Sequence, residues 1–500
     1  MRIERSRTGV SRRGAASRAG LALALAGLLA AASASAGVTV PSHSARPEPS
    51  AAKLPWTPSS AAGLRPLEFS KSTLPNGMTV ILHESHDVPI VVVNVSFDVG
   101  SRHEAPGRTG FAHLFEHLMF MGTRRVPTKA FDEWMESAGG WNNAWTSQDR
   151  TNYYDVGPSS SLDLLLWMEA DRLRDLGPLM TLEKLNAQRD VVRNERRQTS
   201  ENTPYGKVEL RLPELLYPKG HPYHHPVIGS HEDLEAATVD DVKAFFAKYY
   251  DPANATIVVA GDFDPTHVKA RIEQWFGPIP SRGAPSDPGA PGFDDTKTTL
   301  TSVVRETIED DVELDKVVMA WQTPKHFAPG DAELDLLATA LADGKASRLY
   351  KSLVYEQKLA QSVEAAQESG VLGSRFVIGV VARPGVSLDK LEAAIDKELE
   401  AVRKKPLAED ELVRAKNLVE TAFVTQLESV RHRAALLAMY QSERKDPGWA
   451  PKDLERYRAA TKEAVRDVAA KYLPSDARVV LRVVRKAASN EAGATKGGSK

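Results

Sequence analysis

The pattern of hydrophobic and polar residues along the chain predicts strands first and then mainly helices. Two runs dense in β-branched residues, "GMTVILHES" (77–85) and "PIVVVNVSFDVG" (89–100), predict strands separated by a polar turn. Apolar residues then recur with helical spacing, which predicts a series of amphipathic helices before one more strand. The predicted helices are residues 110–120, 129–138, 161–176, 182–199 and 239–250, and the further strand is residues 254–263.

The order of elements partly repeats in the second half of the chain. A Pro/Gly-rich stretch, "GPIPSRGAPSDPGAPGFDD" (277–295), has the composition of a linker. After it we predict a strand, two helices and a closing strand. The sequence therefore predicts an α+β fold of two similar lobes, an N-terminal domain over 66–276 and a C-terminal domain over 298–486, joined by a linker over 277–297. The second-half elements are a strand at 316–324, helices at 331–353 and 388–404, and a strand at 477–484.

The N-terminus has the pattern of an export signal. Six arginines precede an apolar run over 21–32, and Ala34-Ser35-Ala36 is a suitable cleavage site, so residues 1–36 are predicted to be a signal peptide. Arg12-Arg13 leaves a twin-arginine signal open as an alternative. We expect an exported protein, in the periplasm or extracellular. The Pro/Ser/Ala-rich residues 37–65 are predicted to be a flexible leader and residues 487–500 a disordered tail.

Composition and charge narrow the classes of function. The predicted signal peptide holds six arginines and one glutamate, a net charge of +5, so the remaining chain would carry −7 rather than −2. With no basic stripe, nucleic acid is not an expected partner. No later stretch is apolar enough for stable membrane insertion. The chain has no cysteine, which excludes thiolate zinc sites and cysteine nucleophiles.

The stretch "GFAHLFEHLMF" (110–120) places three polar groups in an apolar helix. His113 and His117 are four residues apart and Glu116 is three residues after His113, so all three project from one side of the helix. Two imidazoles on successive turns can bind one divalent ion such as Zn²⁺, and the glutamate beside them can take a proton from water. The alternative is a set of core residues satisfied by local hydrogen bonds.

A catalytic zinc site usually takes three protein ligands, so a third is expected from another element. In "LNAQRDVVRNERRQ" (185–198), positions 188, 191, 192 and 195 share one helix face. Glu195 lies on that face with Val191 and Val192, which predicts an inward carboxylate that needs a partner. The alternative is a surface glutamate paired with neighbouring arginines.

The motif and its surroundings resemble the pitrilysin/insulinase family of zinc peptidases, which includes the mitochondrial processing peptidases. "HLFEH" is followed 78 residues later by Glu195 in "RDVVRNERRQ", and "LPNGMTVIL", "DVGSRHE", "GGWNNAWTSQDRTNYY", "NTPYG", "GHPYHHPVIGS" and "NATIVVAGDFDP" also match. The resemblance implies the processing-peptidase fold, with an antiparallel sheet packed with helices in each lobe. It also implies one Zn²⁺ per chain on His113, His117 and Glu195, and Glu116 as the general base of a zinc endopeptidase.

The resemblance further implies how a substrate binds. An extended peptide would add as a strand to a sheet edge near the metal, with Trp141–Thr146 as the expected edge, where Asn143 and Ala144 match the family's substrate-contacting pair. Some family members carry a glutamate seven residues before the third ligand. Here Gln188 stands at that position, and it can still hydrogen-bond to a ligand or to water.

One departure from the family bears on assembly. Members that act alone carry an Arg and, seven residues later, a Tyr in the second half, and both bind substrate next to the zinc. The matching segment "LVYEQKLAQSV" places Val354 and Gln361 there. We therefore expect a homologous partner subunit that supplies the Arg/Tyr pair, with this chain as the zinc-bearing subunit of a heterodimer. The alternative is a non-catalytic assembly or scaffold subunit that retains the fold.

Overall fold

The computed structural model describes residues 65–287, 289 and 299–486. The predicted signal peptide, all but the last residue of the predicted leader, part of the predicted linker and the predicted tail lie outside the described residues, so these assignments stay predictions. Within the described part, two sheets form, one from residues 70–261 and the other from residues 304–485.

The first sheet has six strands in the order β1-β2-β6-β3-β5-β4. Neighbouring strands are antiparallel except β2 and β6, which run parallel. β4 is an edge strand, paired on one side only, with β5. The strands are β1 (Ser70–Thr73), β2 (Thr79–Glu84), β3 (Ile90–Phe97), β4 (Trp141–Thr146), β5 (Thr151–Pro158) and β6 (Ala255–Gly261).

The second sheet has five strands in the order β7-β11-β8-β10-β9 and repeats the plan of the first. It too is antiparallel apart from one parallel pair, β7 with β11. The predicted two-lobed α+β fold is confirmed, and each sheet is mixed rather than purely antiparallel. The strands are β7 (Val304–Asp310), β8 (Lys316–Thr323), β9 (Ala360–Glu368), β10 (Ser374–Ala382) and β11 (Val479–Arg485).

Fourteen α-helices of the described residues cover these sheets, and none of them is long and apolar enough to cross a membrane. They are α1 (Phe111–Leu118), α2 (Ala130–Ser137), α3 (Leu162–Asp175), α4 (Leu182–Arg196), α5 (Lys207–Leu216), α6 (His231–Ala236), α7 (Val239–Tyr249), α8 (Pro265–Trp275), α9 (Asp331–Ala342), α10 (Leu388–Lys404), α11 (Glu409–Gln426), α12 (Val430–Arg444), α13 (Ala450–Ala459) and α14 (Lys462–Tyr472).

The predicted helix over residues 331–353 was too long. α9 ends at Ala342, Gly344 follows with a positive φ of 75°, and a separate π-helical segment spans Tyr350–Glu356. A left-handed glycine ends a helix at little steric cost, so the continuous apolar pattern did not reveal the break.

The two halves of the chain exchange helices. α5, from the first half, packs Val208 and Leu212 against the second sheet. α12, from the second half, packs Ala434 and Leu437 against Val258 and other residues of the first sheet. Each sheet therefore buries one face against a helix from the opposite half, which holds the two lobes together through apolar contacts.

The exchange predicts a large effect for one core substitution. Leu437 is fully buried on α12, so we expect Leu437→Ala to lower the free energy of unfolding by about 2–5 kcal/mol. The matched control is Leu418→Ala on α11, where the side chain is 36% exposed and the expected cost is below about 1 kcal/mol. Urea unfolding followed by circular dichroism measures both. Equal effects of the two variants would contradict this account of how the lobes are joined.

Candidate metal centre and active site

The N-terminus of the helix that carries the histidines is fixed by close backbone packing and by a buried carboxylate. Gly110 precedes α1 with a φ of 87°, and a Cβ there would lie 2.7 Å from the carbonyl oxygen of Ile228. The buried carboxylate of Glu104 accepts hydrogen bonds from the backbone N–H groups of Gly110 (2.9 Å) and Ala112 (2.7 Å). An acceptor at a helix N-terminus satisfies donors that have no partner within the helix. The position and direction of α1 are therefore set before its functional residues begin.

Three side chains from α1 and α4 converge. The Nε2 atoms of His113 and His117 are 3.3 Å apart. Glu195 Oε2 lies 3.2 Å from His117 Nε2 and 3.8 Å from His113 Nε2. Glu195 lies 78 positions after His117 and 82 after His113 in the chain, and the packing of α4 against α1 brings the three residues together.

The spacing of these atoms fits a zinc ion. Tetrahedral ligands about 2.0–2.1 Å from zinc lie roughly 3.3 Å from one another, and the three measured separations are close to that value. The donor set of two imidazoles and one carboxylate is that of a catalytic zinc site, with a fourth position left for water or substrate. Among residues 65–287, 289 and 299–486, no other group of His, Asp and Glu side chains brings three potential ligand atoms together in this way.

The electrostatics keep His113 and Glu195 in forms that suit metal binding. The pKa of His117 is instead raised, because the lowering effect of burial is outweighed by its hydrogen bond to Glu195 and by the nearby carboxylates. Burial, with repulsion from His117, lowers the pKa of His113 to about 4, so its imidazole is neutral at pH 7. Burial works against ionisation of Glu195, but its hydrogen bond to His117 prevails and lowers the pKa of this carboxyl. A neutral imidazole and an ionised carboxylate each offer a lone pair to a cation.

Glu116 lies beside the ligands in a buried position, 7% exposed. Its Oε2 accepts a hydrogen bond of 2.6 Å from the hydroxyl of Thr146, the last residue of β4. Burial raises the pKa of Glu116 to about 7, against the lowering effect of that hydrogen bond. A carboxylate whose pKa is near the working pH can both accept and return a proton.

Gln188 lies seven residues, about two helical turns, before Glu195 on α4. Its Nε2 donates to the sulfur of Met121 at 2.8 Å, and a side-chain hydrogen bond with His117 contributes to raising the pKa of that histidine. The predicted inward face of α4 was partly wrong, because Val192 is fully buried whereas Val191 is 45% exposed. Leu185 and Val192 form the buried stripe, and Gln188 and Glu195 flank it toward α1.

β4 has the edge position that a peptide-binding strand needs. Asn143 is exposed, and its side-chain oxygen accepts the backbone N–H of Ala144 at 2.8 Å. Ala144 is buried with the core residues of the first lobe. The free edge of β4, on the side away from β5, therefore runs from Trp141 to Thr146. Its last residue, Thr146, donates the hydrogen bond to Glu116.

The positions that matched the family's Arg and Tyr also have defined places. Val354 lies in the π-helical segment and is buried in the core of the second lobe. Gln361 is exposed on β9, the edge strand of the second sheet. Lys358, between them, has a φ of 54°, a conformation that favours glycine. Neither residue carries the guanidinium or phenol of the family pair.

Sequence reasoning missed Glu104 and Thr146. Glu104 is seven residues before α1 begins, too far along the chain for a local capping pattern to reveal it. Strand alternation puts Thr146 on the same face as Ala144, which marks it in the sequence only as an inward residue of β4. The contact with Glu116 depended on knowing that β4 lies against α1.

Comparison with known proteins identifies the family of this chain. Residues 79–224 match the family model described as "Insulinase (Peptidase family M16)", and residues 236–419 match "Peptidase M16 inactive domain". The zinc protease PqqE of Helicobacter pylori is 30% identical over 379 residues, which cover 74% of this chain and 82% of PqqE. The chain belongs to peptidase family M16.

Solved structures show the same M16 fold. A protease from Helicobacter pylori superposes with a TM-score of 0.77 at 26% identity, over 84% of this chain and 100% of that one. The periplasmic protease PqqL from Escherichia coli matches with a TM-score of 0.69 at 20% identity, over 85% of this chain but 48% of PqqL. At that identity the likeness to PqqL concerns the fold alone. The family resemblance read from the sequence is thus confirmed.

Proposed function

We propose that this M16 protein is a zinc endopeptidase that hydrolyses extended peptides or small unfolded proteins. The observation that carries the proposal is the convergence of two imidazole Nε2 atoms and one carboxylate oxygen at 3.2–3.8 Å, beside a buried glutamate. His113, His117 and Glu195 would hold one Zn²⁺ per chain. When bound, zinc would polarise the scissile carbonyl and make a coordinated water easier to ionise.

Glu116 would perform the proton transfers. Its Oε2 is held by the Thr146 hydroxyl, which leaves Oε1 to take a proton from the attacking water and return it to the leaving amine. Gln188 would orient His117 through their hydrogen bond. Of the pair expected to contact substrate, Asn143 is exposed on the edge strand β4, and Ala144 follows it there with its backbone N–H donating to Asn143 Oδ1. Strand addition at this edge would bind main chain and accept varied side chains.

Replacement of Gln188 is expected to have a moderate effect on zinc affinity. Gln188→Ala would remove the hydrogen bond to His117, and we expect zinc affinity to fall by about 10-fold, within the 10- to 100-fold range typical of such outer partners. Competition with a chromophoric chelator measures the affinity. Asn186→Ala, an exposed position on the same helix, is the control and should leave it unchanged. Unchanged affinity in Gln188→Ala would remove Gln188 from the metal centre.

We infer that the active form is a heterodimer with a homologous subunit that supplies the Arg/Tyr pair. Val354 is packed in the core and Gln361 is an amide, so neither provides the cation or the phenol. The chain covers 48% of PqqL, so a periplasmic protease of this fold contains about as much chain again. A partner subunit would add a comparable amount here. Export to the periplasm is proposed from the signal-like N-terminus, as PqqL is periplasmic.

The assay that tests this function uses the zinc-loaded chain on unstructured peptides, with products identified by mass spectrometry. We expect weak turnover by the chain alone and a rise of about 10²- to 10³-fold when the M16 product of a neighbouring gene is added, the usual effect of supplying missing donors to a developing charge. Full turnover by the isolated chain would contradict the need for a partner. No turnover in either form would favour the scaffold alternative, although all four expected residues of the centre are present.

A further inference from the structure

Thr146 joins the strand proposed to bind substrate to the residue proposed as the base. It ends β4, its side chain is 5% exposed, and its hydroxyl donates to Glu116 Oε2 at 2.6 Å. No other hydrogen bond to the Glu116 carboxylate is formed by the described part of the chain, 65–287, 289 and 299–486. The orientation of this buried carboxylate therefore depends on one hydroxyl.

The hydroxyl itself is held rigidly. Thr146 pairs in register with Thr151 across the hairpin, and the Thr151 hydroxyl donates to the carbonyl of Val99 at 2.8 Å. Beyond it, the backbone N–H of Ser147 donates to the carbonyl of Arg150 at 2.9 Å and closes the turn. A β-branched side chain has few χ1 rotamers, so a fixed backbone also fixes the hydroxyl.

The end of this hairpin is also bound to the second lobe. The Asp149 carboxylate accepts hydrogen bonds from the hydroxyl of Tyr223 at 2.5 Å and from the backbone N–H of Val371 at 3.2 Å. Val371 lies between β9 and β10, in the hairpin of the second sheet that corresponds to β4–β5. The position of Thr146 is thus set by contacts from both lobes.

We propose that Thr146 is the positioning residue for Glu116 and holds its carboxylate in the orientation that the proton transfers need. This inference rests on the proposed function. The hydroxyl holds Oε2 and thereby directs Oε1 toward the attacking water.

The test compares Thr146→Val, which keeps the shape and loses the hydroxyl, with Thr146→Ser, which keeps the hydroxyl. In the zinc-loaded protein with its partner, we expect Thr146→Val to lower kcat by about 10- to 100-fold, the usual effect of losing a hydrogen bond to a charged group, and to leave KM within about twofold. Thr146→Ser should restore most of kcat. Thr256→Val is the control, because it removes a buried hydroxyl from β6, three strands away from β4 in the same sheet, and it should leave kcat within about twofold.

Crystal structures of the metal-free proteins provide a readout independent of activity. We expect the Glu116 carboxylate to turn away from its wild-type orientation in Thr146→Val and to keep it in Thr146→Ser, with equal zinc content after loading. Unchanged kcat in Thr146→Val, no rescue by serine, or an unmoved carboxylate overturns the proposal. Absence of turnover in the wild type would instead count against the peptidase function, and the carboxylate orientation would still decide the role of Thr146.

Discussion

Replacing Glu116 with glutamine is expected to lower kcat by about 10²- to 10⁴-fold and to leave zinc binding intact. Glutamine has nearly the same shape and can still accept the Thr146 hydrogen bond, but it cannot take a proton from water. The effect should appear in kcat with a fluorogenic unstructured peptide. Zinc content, measured by metal analysis, should stay at one ion per chain.

The control for this substitution is Glu136→Gln, at an exposed position on α2, which should retain wild-type kcat. The glutamine variant also separates the two readings of the protein. If Glu116→Gln kept its hydrolytic activity, the role of Glu116 as base would be wrong. If it lost hydrolysis but kept the biological phenotype of the wild type, the scaffold alternative would gain. Loss of both, with normal zinc content, would establish the peptidase.

Removal of the third ligand should lower the zinc affinity of the protein by a similarly large factor. Glu195→Gln replaces a charged ligand oxygen with a neutral one, and we expect zinc affinity to fall by more than about 100-fold, beyond what outer hydrogen-bond partners cost. Activity at low zinc should be lost with it. Chelator competition measures the affinity, and the thermal shift on adding zinc should shrink, because a ligand that binds only the folded state stabilises that state.

Asp190→Asn, an exposed acid on the same helix, is the matched control and should bind zinc like the wild type. Treatment of the wild type with a chelator should abolish turnover, and added zinc should restore it. A metal-free preparation as active as the loaded one would rule out a zinc mechanism. Normal zinc affinity in Glu195→Gln would show that the third ligand comes from elsewhere.

Much of the secondary structure followed from local pattern. α10 spans Leu388–Lys404, the range that apolar spacing predicts. The helical spacing of apolar residues begins and ends where the amphipathic helix does. The run of β-branched residues at 89–100 placed β3 to within three residues at each end. The break after α9 was not predicted, because the residues after it continue the apolar spacing of the helix. Only tertiary packing determines that the chain changes direction there.

The residues of the candidate metal centre also differ in how far the sequence alone predicts their positions. His113, Glu116 and His117 lie on one turn-and-a-half of helix, so their common face is a property of the sequence alone. The sequence predicted Glu195 as a third ligand but not its position relative to the histidines. The supporting argument from Val191 was wrong, because Val191 faces outward. The 3.2 Å separation of Glu195 and His117 exists because α4 packs across α1.

By itself the sequence determined the periodic elements, the two-lobed α+β plan and the M16 family, because helix and strand periods and short motifs are local properties. Only the tertiary structure decided the exchange of α5 and α12 between lobes, the capping of α1 by Glu104 and the hydrogen bond from Thr146 to Glu116. Each of these joins residues from separate elements, and their contact depends on how sheets and helices pack, which no local pattern of residues encodes.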